Sequence, residues 1–160
     1  MKQKNPSQLP SFETKIRLMR LPYRLILPLG YMGGIHLLSS IPDDGAAETV
    51  GEQLLQWVTP ALQNLLHIPL FGGLAIAWYW ALGPNLISRH AKLVLVFLIT
   101  GAYSFLDEWY QLHVPGRFGS LTDIALNLTG VGAALLYLTS TSAGKQRMAL
   151  SAFHNTNKKS

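Results

Sequence analysis

Residues 93–110 read LVLVFLITGAYSFLDEWY, from Leu93 to Tyr110. No charged side chain interrupts the run until Asp107 and Glu108 at its end. A membrane helix needs about 20 mostly apolar residues. The run is therefore a membrane-spanning helix that ends on acids. Three further stretches of the same kind lie at about 25–41, 61–82 and 121–138, the second closing on Trp78, Tyr79 and Trp80 as interface anchors. The chain is thus expected to be all-α, a polytopic four-transmembrane-helix bundle.

Composition agrees. Charged residues make up only 13% of the chain, about half the usual quarter. The net charge of +5 would suit nucleic acid or anionic lipid, and the positions of the charges decide between them. Lys2, Lys4, Lys15, Arg17, Arg20 and Arg24 precede the first span, Arg89 and Lys92 separate the second from the third, and Lys145, Arg147, Lys158 and Lys159 follow the fourth. The first loop holds Asp43, Asp44, Glu48 and Glu52 with no base, and the third holds Arg117 alone. Basic residues therefore alternate with the loops, which predicts an N-in, C-in topology. It also makes lipid, not nucleic acid, the partner. A multi-pass protein of the bacterial cytoplasmic (inner) membrane is expected.

The expected organisation is a flexible basic cytoplasmic N-terminus over 1–20, a membrane domain over 21–140, and a flexible basic cytoplasmic tail over 141–160. A basic start, an apolar run and Gly45-Ala46-Ala47 also resemble a cleavable signal peptide. The first apolar run is longer than the usual signal core, and an uncleaved first span is the preferred reading. With no cysteine, disulfides and thiolate metal sites are excluded.

Small residues four apart face one way on a helix and let membrane helices approach closely. Gly30 and Gly34, Gly73 and Ala77, and Gly130 and Ala134 are such pairs. Two of the three are expected to be packing seams.

Ionisable groups near membrane spans are costly and tend to be functional. Nearly all of them here gather at one level. Span three leaves through Asp107, Glu108 and Gln111, span four enters through Asp123 and Asn127, and span two carries Gln63, Asn64 and His67 on one face. His36 lies near the outer end of span one and His113 in the loop 113–120, while His90 is on the opposite side. Arg117, the lone outer base, is expected to pair with one or two of the acids. Plainer roles exist for each residue. Asp123 suits a helix cap, Glu108 a solvated interface, Asn127 interhelical glue, and His67 a hydrogen bond to a carbonyl freed by Pro69.

The run Asp107-Glu108-x-x-Gln111-x-x-x-Pro115-x-Arg117, with Asp123-x-x-x-Asn127-x-x-Gly130, resembles the VanZ-like family. His67-x-x-x-Phe71-x-x-Leu74 is similar to that family's second-span signature, with the departure that Asn64 stands where the family often has lysine. The likeness covers about residues 25–140. It implies a small multi-span bacterial membrane protein of the type associated with low-level resistance to teicoplanin and related lipid-bearing glycopeptides. Carried over position by position, it implies ligand-binding roles for His67, Asp107, Glu108, Gln111, Arg117, Asp123 and Asn127.

Three functions compete on these residues. In the first, the polar pocket binds a lipid-linked or other envelope ligand and alters glycopeptide susceptibility. In the second, an enzyme acts on a lipid-linked substrate, with Asp107, Glu108, Asp123 and His67 as candidate catalytic groups holding a divalent ion or working as an acid–base pair. The sequence has no His-Glu-x-x-His or other tightly spaced ligand motif, so no metal ligand and no cofactor is assigned. In the third, the chain is a membrane assembly subunit with protein partners that the residues do not specify.

Overall fold

The computed structural model describes residues 12–43, 50, 53, 60–83 and 87–157, with side chains described at 23–43, 50, 53, 62–83 and 87–141. The described chain forms four helices and no strand: α1 (Phe12–Ser39), α2 (Pro60–Ala81), α3 (Arg89–Gln111) and α4 (Leu121–Asn157). Each contains all or nearly all of one of the four apolar stretches, the first ending at Ser39 and the second at Ala81. At both termini the helices continue beyond the spans, into the stretches expected to be tails. Loop acids Asp44, Glu48 and Glu52, and the Gly45-Ala46-Ala47 stretch, lie outside the described residues.

Arg89–Gln111 and Leu121–Thr141 are each long and apolar enough to cross a membrane. Their outward faces carry Val94, Leu98, Phe105, Leu106 and Leu136, all exposed, while Thr100, Ser104, Asp107, Glu108, Gln111 and Asn127 are buried. Apolar outside and polar inside is the arrangement of a protein solvated by lipid, where each buried polar group must find its partner within the bundle.

The helices run alternately up and down, as successive contacts require. At one end Arg24 lies over the Trp80 ring with its guanidinium 5.3 Å from the centroid. Arg89 there donates to the Leu138 and Thr139 carbonyls of α4. Lys92 donates to the Gly83 carbonyl at 2.8 Å and lies over the Tyr79 ring. Gly83 has φ 63°, the left-handed conformation that ends α2 and suits glycine. At the other end the backbone of Asp43 donates to the Pro115 carbonyl, tying the loop after α1 to the loop after α3.

Phe71, Leu74 and Ala75 of α2 meet Val131 and Ala134 of α4 in the core, with Ile35 and Val96 beside them. The α2–α4 crossing is tight because glycines sit on both sides. A Cβ on Gly72 would lie 3.1 Å from the Gly130 carbonyl oxygen, and a Cβ on Gly130 would overlap the Ile68 backbone. Gly73 is likewise closed off by the Tyr31 ring. Two of the three small-residue pairs therefore mark seams. The pair on α1 does not: Gly30 and Gly34 have nothing within 4 Å of a would-be Cβ among the described residues. Tyr31 and Ile35, on another face of α1, make its contacts instead.

Candidate functional site

Above this core, the helix ends opposite Arg24 and Lys92 line a cavity of about 380 Å³. Its walls combine apolar side chains, including Ile35, Leu70 and Phe71, with His67, Asp107, Gln111, Arg117 and Asp123. Its position follows from helix periodicity. On α3, Thr100, Ser104, Asp107, Glu108 and Gln111 recur at intervals of three and four and are all buried, so one stripe of the helix delivers polar groups to the interior.

Asp107 and Glu108 are adjacent and diverge by about 100° on the helix, and they serve two different groups. Asp107 turns to α1. Its Oδ2 accepts from Ser39 Oγ at 3.0 Å and from Gln111 Nε2 at 3.2 Å. Glu108 turns to α2 and α4. Its Oε2 accepts from the Ser120 backbone at 3.1 Å, and its Oε1 lies 3.9 Å from His67 Nδ1. Only 3% of Glu108 is exposed. It is a buried member of the site and not a solvated interface residue.

His67 is held by α4. Its Nδ1 lies 2.9 Å from Asn127 Oδ1, and Asn127 Nδ2 donates to Ser104 Oγ at 2.9 Å. With Nδ2 so used, Oδ1 can only accept, so Nδ1 carries the proton and in the neutral ring the lone pair is on Nε2. Asn127 is completely buried and orients the imidazole, which also stacks on Phe71 one turn along. The partner of His67 is therefore this amide, not a carbonyl freed by Pro69.

Asp123 leaves the capping of α4 to Ser120, whose Oγ accepts from the Thr122 backbone at 3.0 Å. The Asp123 side chain is buried and lines the cavity. His67, Glu108 and Asp123 each bring one ligand atom to within 4.8 Å of the others.

Arg117 differs from expectation. It also lines the cavity, yet its Nε donates to the Ile41 carbonyl at 3.0 Å and its Nη2 reaches the Leu38 carbonyl. Among the described residues it forms no ion pair with an acid. Leu38 is in the last turn of α1 and Ile41 just past its end, where the negative end of the helix dipole favours a guanidinium. One end of each of Asp107, Glu108 and Asp123 is thereby left unanswered: Asp107 Oδ1, Glu108 Oε1 and Asp123 Oδ1 are buried with no hydrogen-bond partner.

Of the residues singled out in the sequence, His67, Asp107, Glu108, Gln111, Asp123 and Asn127 come together, with Arg117 at the rim. Gln63 and Asn64 also line the cavity. His36 is exposed and packs on the Tyr110 ring, and His113 is exposed with its Nδ1 3.0 Å from the Trp109 carbonyl oxygen. Neither belongs to the cluster. Sequence reasoning missed Ser39 and Ser104. Ser104 was open to detection, because it lies four residues before Glu108 on the polar stripe of α3. Ser39 carried no such signal, since only the crossing of α1 with α3 brings it to Asp107.

Residues 10–141 match the family described as VanZ/LLP1. No curated protein and no solved structure matches the chain.

Proposed function

Because the chain belongs to the VanZ/LLP1 family, we propose that it is a four-span protein of the bacterial cytoplasmic membrane, with both termini inside. Its polar cavity would face the extracytoplasmic leaflet and bind the polar group of a lipid-linked or other envelope ligand. The observation that carries this reading is the mixed wall of the cavity, where Asp107, Gln111, Asp123 and Arg117 stand beside Leu66, Leu70 and Phe71. Such a wall suits a ligand that is polar at one end and apolar at the other, because each part meets matching chemistry on desolvation.

The proposed orientation is supported by charge. Arg24, Arg89 and Lys92 cluster at the end opposite the cavity, and basic residues favour the cytoplasmic side. Reporter fusions after Val50, His90 and Ser140 test it. The first is expected to report outside and the other two inside.

Binding at this site would alter surface lipid composition or the access of lipid-bearing glycopeptides. In a susceptible bacterial host, expression of the chain is expected to reduce teicoplanin susceptibility. Asp107→Ala and Arg117→Ala are expected to abolish that protection at unchanged protein level. Full protection by both variants would remove the proposal.

A further inference from the structure

We infer that His67, Glu108 and Asp123 form a divalent-cation site, with one imidazole and two carboxylates drawn from three different helices. Three observations carry it. One possible ligand atom of each residue lies within 4.8 Å of the others, and with His67 Nδ1 bonded to Asn127 its Nε2 is the nitrogen left to bind an ion. Bonds of about 2.0–2.2 Å to nitrogen and carboxylate oxygen require only a modest contraction, which side-chain rotation supplies. Second, Glu108 and Asp123 are 3% and 8% exposed, and each keeps a buried oxygen, Oε1 and Oδ1, without a hydrogen-bond partner, Oε1 lying 3.9 Å from His67 Nδ1. Buried polar atoms are almost always satisfied, so two such oxygens beside one imidazole call for a bound group.

The third observation is charge. The described bases that reach helix ends are committed elsewhere: Arg117 to the Ile41 and Leu38 carbonyls, Lys92 to Gly83 and Arg89 to α4. Two carboxylates close together in a lipid-surrounded bundle need positive charge, and a divalent ion supplies both units. The Ser104–Asn127–His67 chain is the outer support that a metal-binding histidine normally has. One nitrogen and two oxygens with no thiolate favour an ion of borderline to hard character, such as Zn²⁺ or Mn²⁺.

Three protein ligands leave coordination positions open, and His67 and Asp123 both line the cavity. A cation there would convert an acidic pocket into one that accepts a phosphate or carboxylate oxygen. The site rests on its own geometry and does not depend on the envelope-ligand proposal.

The test uses the full chain in detergent micelles, stripped with chelator and titrated with Zn²⁺. One ion per chain is expected, with affinity reduced about tenfold or more in Glu108→Gln and Asp123→Asn. Both variants keep side-chain size, and their helical spectra are checked alongside. Mn²⁺ bound to the wild-type chain, read by electron–nuclear double resonance, is expected to couple to a single imidazole nitrogen. That measurement decides the matter even where a variant fails to fold. Absence of stoichiometric binding, equal affinity in both folded variants, or bound Mn²⁺ with no nitrogen coupling would each overturn the site. Stoichiometric metal binding by a chain that confers no glycopeptide protection would leave the site standing and overturn the proposed function alone.

Discussion

Alanine at Gly130 is expected to destabilise the bundle, while alanine at Gly34, in a helix of the same kind, is not. A Cβ on Gly130 would meet the Ile68 carbonyl carbon at 2.9 Å and its Cα at 3.0 Å, with the oxygen closer still. Those are backbone atoms, and no rotamer change can move them. The crossing of α2 and α4 must open, loosening Phe71, Leu74, Val131 and Ala134. Overpacking of a closed contact costs about 1–3 kcal/mol. Because the atoms met are backbone, the upper part of that range, about 2–3 kcal/mol, applies; alanine recovers up to about 1 kcal/mol of helix propensity, so the net loss is about 1–3 kcal/mol. At Gly34 nothing lies within 4 Å among the described residues, and only the gain of zero to about 1 kcal/mol remains. Unfolding in micelles by sodium dodecyl sulfate, followed by far-ultraviolet circular dichroism, measures both. A Gly130→Ala variant as stable as wild type, or equal losses at the two positions, would refute the proposed crossing.

Asn127→Ala removes two side-chain hydrogen bonds of 2.9 Å each and is expected to cost about 1–3 kcal/mol. A double-mutant cycle with His67→Ala should return a coupling of about 0.6 kcal/mol, at most about 1.7; additivity would mean that the amide does not hold the ring. At the opposite end, Lys92→Met leaves the Gly83 carbonyl without its donor, at a cost of about 1–3 kcal/mol. Amide exchange at Leu82 and Gly83 should then accelerate, and unchanged exchange there would show that Lys92 does not secure the end of α2.

Local signals in the sequence were enough to find the helices. Apolar runs interrupted by short polar segments left no alternative for residues 93–110, and structure of that kind depends only on neighbours along the chain. The same holds for the stripe that carries Asp107, Glu108 and Gln111, because helical period alone puts them on the interior side. The likeness to the VanZ-like family, quoted on His67, Phe71, Asp107 and Asn127, was legible for the same reason: it rests on spacing.

Pairing across helices was not legible. The choice of Arg117 between three acids and the carbonyls at the end of α1 and just past it depends on where the 113–120 loop passes that helix, and no spacing encodes it. Likewise, Ser120 rather than Asp123 caps α4, and this frees the carboxylate to face His67. Gly34 and Gly130 are equivalent letters in apolar runs, yet only Gly130 meets a neighbouring backbone. Periodicity assigns a side chain to a face, whereas the angle and depth at which two helices cross decide what that face meets. The tertiary structure alone brought one ligand atom each of His67, Glu108 and Asp123 within 4.8 Å of the others.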